Sequence, residues 1–309
     1  MNIHSDPAKF DVTNPVVTMG IFDGVHSGHQ EILSKLTSLA SEVSGESVLI
    51  TFWPHPRMVL NHEDTNLKFL TTLEEKKVLL EQSGIDNLII LPFTRELSNQ
   101  SACGFIEKTL VNRIGTKYLI VGFNHHFGKD REGDFKIIKE YACNFGFQAL
   151  QLPPKLIKDE KVSSTLIRKA LWSGQIRKAN EYLGYEFFVN GKIVGGKRIG
   201  RKIGFPTANI TPKENYKLIP SNGVYAVKIK ISEKAFSGML NIGVRPTLDS
   251  GQVVKTIEVN IFDFAQDIYG QDITLVFIDR IRDEKKFSDV DALVEQLKKD
   301  KEKALNILG

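Results

Sequence analysis

The sequence predicts two domains of different class: an α/β domain over residues 1–184 and an all-β domain over residues 185–309. Three observations predict this. From Val16 to about Leu152, short apolar β-rich runs alternate with amphipathic stretches. At about Gly184 the pattern changes, and from Phe187 to Arg282 short alternating strands are separated by Gly, Pro, Asn and Asp clusters. Finally, a chain of 309 residues is long for one compact domain and comfortable for two.

In the first half the strand candidates are VVTMGIF, SVLITF, NLIILPF, KYLIVGF and FQALQL. Between them Ile32, Leu33, Leu36, Leu39, Ala40 and Val43 recur at helical spacing. Thr72 and Glu75 form a capping-box pattern at the start of a second helix, and Phe105, Ile106, Leu110, Val111 and Ile114 stripe a third. Strand and helix in repeated alternation imply a parallel sheet with helices on both faces. Two more helices are expected near Ser163–Trp172 and Gln175–Tyr182. In the second half GVYAVKIKI, VKTIEVNIF and ITLVFIDRI predict an antiparallel barrel or sandwich. After Phe287, Val290, Leu293, Val294 and Leu297 opposite many lysines predict a terminal helix packed against it.

An apolar fraction of 41% and a charged fraction of 25% allow each half a normal core. The net charge of +4 is a small excess of 41 basic over 37 acidic residues, and small phosphate ligands account for it as well as nucleic acid does. A nucleic-acid partner would need a concentrated basic and aromatic face, which the linear sequence does not display. Cys103 and Cys143 have no CxxC spacing and read as reduced thiols. No secretory leader and no run of eighteen apolar residues stand out, so a cytoplasmic protein without membrane contact is expected; the oligomeric state leaves no mark.

The decapeptide Gly20–His29, GIFDGVHSGH, falls where the first predicted strand ends and the first helix begins. Parallel sheets bind ligands there, and the free N–H groups of a helix N-terminus favour phosphate. Gly24 and Gly28 let the backbone come close to such a ligand, and His26 and His29 can donate to an oxygen on which charge develops. A lone HxxH pair would read as surface histidines, and a catalytic zinc would need a third ligand. Downstream, VSSTLIR (Val162–Arg168) offers hydroxyls and an arginine for phosphate, although Ser163, Ser164 and Thr165 would also serve as plain helix caps.

In the second half, glycines interspersed with lysines and arginines between Lys192 and Phe205 suit a phosphate cradle. Thr207 and Asn209, one residue apart in an extended segment, point to one side and can share a magnesium ion through hydroxyl and amide oxygens. All seven histidines lie at or before His126, so a general base in this half must be a carboxylate or something less usual. Glu258 stands in TIEVNIF, with Thr256 and Asn260 on its face of the strand.

GIFDGVHSGH resembles the signature of the small adenylyl- and cytidylyltransferases. TFWPHP (Thr51–Pro56), VGFNHHFGKDREGD (Val121–Asp134) and VSSTLIR narrow the resemblance to the bacterial flavin-adenylating branch. PTAN, SNGVYAV, GMLNIGVRPTL, TIEVNIFDF and DIYGQDITLVFIDRIRDEKKF, in this order, resemble the riboflavin kinase family from Tyr185 to Asp300. The resemblance implies a Rossmann-like nucleotidyltransferase domain and a six-stranded Greek-key barrel with a terminal helix. It implies a bifunctional enzyme using ATP with Mg²⁺, riboflavin, FMN and FAD. In the first site it implies that His26 and His29 contact ATP phosphates and act in transfer, with Gly20, Phe22, Asp23, Gly24 and Gly28 forming the nucleotide turn. It also implies that Ser164, Thr165 and Arg168 steady the triphosphate, that Asn124 helps bind ATP or magnesium, and that His55 and Pro56 border the flavin. In the second site it implies Gly200, Lys202 and Gly204 on phosphate, Thr207 and Asn209 on the metal, Glu258 as catalytic base, and Arg282 and Phe287 on the flavin. His125 and His126, Gly195 and Asn260 depart from the common pattern. A relative keeping one activity, or a non-catalytic flavin-binding regulator, are the alternatives; the regulator would be marked by loss of Thr207, Asn209 or Glu258, all of which are present.

Overall fold

The computed structural model describes residues 1–5, 10–60, 67–195, 200, 203–246 and 253–309. The chain divides into two compact units, Met1–Ser164 and Thr165–Gly309.

The first unit is built on β1 (Asn2–His4), β2 (Val16–Met19), β3 (Ser47–Trp53), β4 (Asn87–Pro92), β5 (Tyr118–Gly122) and β6 (Gln148–Leu152). They form one sheet in the order β1-β4-β3-β2-β5-β6, parallel throughout. Successive residues of the same strands feed opposite cores. Val17, Met19, Val48, Ile50 and Ile89 enter one cluster, while Val16, Leu49 and Leu88 enter the other. A sheet buried on both faces needs helices on both, which is why its strands read as apolar runs rather than alternations. One face is covered by α1 (Ser27–Glu42), through Leu33 and Leu36, and α3 (Leu73–Gln82), through Leu80. The other is covered by α5 (Ala102–Phe105) and its continuation, and by α6 (Phe135–Phe145), through Ile138 and Ala142. Short helices α2 (Pro56–Leu60) and α4 (Arg95–Ser98) follow β3 and β4.

The capping box at α3 is formed: Thr72 Oγ1 accepts from the Glu75 N–H at 3.1 Å and Glu75 accepts from the Thr72 N–H at 2.9 Å. The single helix expected around Phe105–Ile114 differs. After α5 the chain widens into a π-helical segment, Ile106–Val111, with Asn112 N–H donating back to Glu107. The wider turn keeps Ile106, Leu110 and Ile114, four residues apart, on the buried side. The tripeptide of β1, Asn-Ile-His, is too short to carry a strand pattern and joins the sheet through pairing with β4. A small hairpin, β7 (Leu156–Ile157) and β8 (Glu160–Lys161), was likewise not foreseen.

The second unit starts with α7 (Ser164–Trp172), whose first residue ends the first unit, and α8 (Ile176–Leu183). It continues with β9 (Phe188–Val194), β10 (Ala208–Pro212), β11 (Gly223–Ile231), β12 (Lys234–Pro246), β13 (Val253–Ile261) and β14 (Asp272–Arg282). These close into a barrel in the order β10-β13-β12-β11-β14-β9, which decides between barrel and sandwich and leaves no open edge. Alternation along β11 sorts its side chains: Tyr225 packs edge-on to Phe277, while Val224 and Ala226 face a cluster with Phe262, Ile281 and Ala304. Ala304 belongs to α9 (Val290–Leu308), capped by Asp289, whose side chain accepts from the Ala292 N–H at 2.8 Å. No described helix is long and apolar enough to cross a membrane.

Candidate active sites

β2 lies between β3 and β5, so the turns that leave the C-terminal ends of these three strands share one edge of the sheet. Gly20 to His29 leaves β2, His55 and Pro56 follow β3, and Asn124 to Phe127 follow β5. The turn after β2 is tied down at each residue. Gly20 N–H donates to Ile50 O at 3.0 Å. Ile21 O accepts from Thr51 Oγ1 at 3.3 Å and from Lys76 Nζ at 2.6 Å. The Asp23 carboxylate accepts from the N–H groups of Leu70 (2.9 Å) and Thr71 (3.2 Å), and Gly24 N–H donates to Thr71 Oγ1 at 3.1 Å. Ser164 Oγ donates to Asp23 O at 2.9 Å. Phe22, Gly24 and Val25 all take positive φ, +50°, +85° and +38°. Only glycine does so without steric cost, so two of the three are held against their preference.

This turn ends at the N-terminus of α1, where His26 is the cap, its Nδ1 accepting from the His29 N–H at 3.3 Å. The two imidazoles stack with centroids 3.6 Å apart and planes 15° from parallel, and Phe22 lies 4.7 Å from the His29 ring. A side chain at Gly28 would press on the His26 ring at 3.3 Å, so glycine allows the stack. Burial, then His26, then Lys76 hold the His29 imidazole well below its usual range, and its buried Nδ1 has no hydrogen-bond partner among the described residues. Burial also pulls Lys76 down to about 8, against the support that Asp23 gives its charge. The site therefore sets a His29 imidazole that resists protonation beside a buried lysine.

His55 stacks on Phe69 at 4.1 Å, with its Nδ1 accepting from the Arg57 N–H, and Pro56 opens α2. Asn124 is exposed. Next to it burial, with His126 second, lowers His125 to about 4, and its buried Nε2 lacks a partner among the described residues. Thr165 and Arg168, on α7 beyond Ser164, belong to the second unit, and Arg168 is buried there.

In the barrel, β13 pairs with β10 and β12 on either side, and the register sets Glu258 opposite Asn209 in one and Asn241 in the other. Directly opposite residues point to the same face, so a carboxylate and two amides form one polar row. Thr207 stands just before β10, and Asn260 Nδ2 donates to the preceding carbonyl, Pro206 O, at 2.7 Å. Thr207 lines two cavities. One, of about 310 Å³, is bounded by Phe205, Glu258, Asn260, Arg282 and Phe287, with Leu293 and Leu297 of α9 as a wall. The other, of about 340 Å³, is bounded by Ile193, Pro206, Ile268 and Tyr269. Gly200, in the first cavity, closes a turn by accepting from the N–H groups of Ile203 and Phe205, and Gly204 sits in it at φ +80°. Lys202 lies outside the described residues. Arg282 reaches the first cavity with its donors engaged: Nε and Nη2 on Asp300, and Nη1 on Asp283 O.

Two family models match this chain, FAD synthetase over residues 9–166 and riboflavin kinase over residues 183–308. The bifunctional riboflavin kinase/FMN adenylyltransferase of Listeria monocytogenes is 36% identical, covering 94% of this chain and 91% of its own. That of Bacillus subtilis is 35% identical, covering 96% and 93%. The chain belongs to the bifunctional riboflavin kinase/FMN adenylyltransferase family. A solved structure titled macrolide-efflux protein, from Streptococcus pneumoniae, superposes with a TM-score of 0.89 at 32% identity over 98% of each chain. The flavin-biosynthetic family thus accounts for both halves, the parallel-sheet unit by its FAD synthetase part and the closed barrel with its terminal helix by its riboflavin kinase part.

Within each unit the fold brings some of the motif residues together: Ser164 with the Gly20–His29 turn in the first, and Gly200, Thr207, Glu258, Arg282 and Phe287 around one cavity in the second, whereas Thr165 and Arg168 fall outside the first unit. The sequence reading missed Lys76, Thr71, Asn241 and Asp300. A signal for Lys76 existed: it stands four residues before Leu80 on the buried stripe of α3, where an apolar residue is expected. Asn241 and Asp300 gave none, because register and helix docking are not local properties.

Proposed function

We propose that the chain phosphorylates riboflavin to FMN at the barrel site and joins FMN to AMP at the first site, giving FAD and pyrophosphate. The observation that carries this reading is Thr207 between two cavities, beside the row of Asn209 and Glu258. A flavin in the cavity next to Phe287 and a nucleotide in the other would meet at that row. Glu258 then takes the proton of the ribityl hydroxyl as its oxygen attacks the γ-phosphorus of ATP, and the bond to the ADP oxygen breaks. Thr207 and Asn209 offer the neutral oxygens that a hard cation accepts, next to a carboxylate, so this chain's donors fit Mg²⁺. When bound, Mg²⁺ supplies charge neutralisation for the phosphates. Gly200 and Gly204 present backbone to them, and Phe287 orients the flavin ring.

At the first site an FMN phosphate oxygen attacks the α-phosphorus of ATP and pyrophosphate leaves. His26 and His29 donate N–H to oxygens gaining charge, and the first N–H groups of α1 point the same way. Ser164, whose hydroxyl donates to Asp23 O, steadies the turn that faces the triphosphate, Asn124 helps bind ATP or magnesium, and His55 and Pro56 border the flavin; for Thr165 and Arg168 the motif alone supports a triphosphate role. We place the functional boundary after Gly184, near the start of the riboflavin kinase match. The test is to incubate the purified chain with riboflavin, ATP and Mg²⁺ and separate the flavins by chromatography. FMN followed by FAD is expected; formation of neither would sink the reading.

A further inference from the structure

The nucleotide turn after β2 is strained at Phe22 and Val25, and it stays in place because its polar groups are satisfied from outside. Most of these ties come from backbone N–H groups or short hydroxyls. Lys76 is different. It is 4% exposed and extends from α3 to put its ammonium 2.6 Å from Ile21 O. The carbonyl it holds precedes Phe22, the first positive-φ residue, whose ring packs on His29. A buried lysine is a costly way to satisfy one carbonyl that Thr51 also reaches. The two other charged or titratable groups that act on this amine and this imidazole are Asp23, which favours the ammonium, and His26, which disfavours the imidazolium.

We infer that Lys76 is a positioning residue for adenylyl transfer: by holding the Ile21 carbonyl it sets the Phe22–Val25 turn, and through it places the His26–His29 pair at the N-terminus of α1. This rests on the first-site reading above. Lys76 touches neither substrate nor reacting atoms in it. Its ammonium has a second, smaller consequence: after burial and His26, it adds to what disfavours the His29 imidazolium.

The test uses the full chain with Lys76→Met, which keeps the stem and removes the ammonium, and Lys76→Arg, which keeps a cationic donor. FAD formation from supplied FMN, FMN formation from riboflavin, and the His29 imidazole titration by NMR are measured on each. The Met variant is expected to lose about 100-fold in kcat for FAD formation, the scale of an ångström misplacement of a reacting group. FMN formation is expected to stay within about 3-fold of wild type, the Arg variant to recover at least a tenth of the lost rate, and the His29 titration to move upward in the Met variant. FAD formation by the Met variant within about 3-fold of wild type would overturn the inference. So would a loss that only tracks the folded fraction, with specific activity of the folded protein unchanged. Absence of FAD formation by the wild-type chain itself would instead remove the reading on which the inference rests.

Discussion

Asp300 of α9 holds the guanidinium of Arg282 through three hydrogen bonds, from Nε at 2.9 and 3.0 Å and from Nη2 at 2.7 Å. Gln296 adds a fourth to the same carboxylate, at 2.9 Å, and Asp300 is 1% exposed. The pair ties the terminal helix to the end of β14, where Leu293, Leu297 and Phe287 bound the first barrel cavity. Asp300→Ala would leave a largely buried guanidinium without its partner. We expect it to destabilise the second unit by about 3 kcal/mol and to raise KM for riboflavin more than it lowers kcat. Chemical denaturation and initial rates check both; an unchanged midpoint and KM would contradict the expectation.

In the proposed function His26 and His29 serve adenylyl transfer alone. His29→Ala is expected to lower kcat for FAD formation from FMN by about 100-fold or more, as removal of a preorganised donor does, and to leave FMN formation from riboflavin intact. Flavin chromatography with each substrate supplied separately measures the two rates. Equal loss of both would contradict two separate sites.

The complementary variant is Glu258→Gln. It keeps size and polarity in the row with Asn209 and Asn241 but cannot take a proton. Riboflavin phosphorylation is expected to fall by about 10²- to 10⁴-fold, while FAD formation from supplied FMN continues.

Metal dependence separates from base catalysis. Thr207→Val and Asn209→Ala are expected to shift the Mg²⁺ concentration needed for half-maximal FMN formation upward, because each removes one oxygen donor. A titration of rate against free Mg²⁺ reads this. A fall in maximal rate with an unmoved midpoint would argue against metal binding by these side chains.

Acid should weaken the first unit through His125. Its folded value is about 4 against an ordinary 6.5, so both states are uncharged above pH 6.5. Between 6.5 and 4 the unfolded chain takes up a proton that the folded chain refuses, so stability falls as pH falls across that window and levels off below it. By pH 5 the loss is about 1–2 kcal/mol for this partly buried ring. His125→Gln removes it, and the variant's melting temperature relative to wild type is expected to rise between pH 7.5 and pH 5.

Much of this was legible in the sequence for local reasons. Helical spacing placed α1, and the Thr72/Glu75 pair placed the start of α3 with the two hydrogen bonds that the pattern requires. Strand runs located β2 to β5 because strands covered on both faces must be apolar at successive residues, while the edge strand β6, with no buried residue, was marked by the alternating run FQALQL. Where the reading stopped, the missing information was non-local. β1 is a tripeptide, Asn-Ile-His, too short to show a period, and it is a strand because it pairs with the edge of β4. The widened turn after α5 answers to the core it packs against, since helical periodicity alone describes a regular helix.

By itself, the sequence determined which chemical groups are available and in which half they stand. His26 and His29 follow a strand at a helix start, Thr207 and Asn209 alternate in an extended segment, and no histidine occurs after His126. Those are properties of spacing and composition, which survive in a linear string. Only the tertiary structure decided who meets whom: Glu258 with Asn209 through strand register, Arg282 with Asp300 through helix docking, and Lys76 with the Ile21 carbonyl across 55 residues. The physical reason is that each of these contacts depends on a packing solution for the whole unit, in which a buried polar group must find its partner wherever the chain brings one.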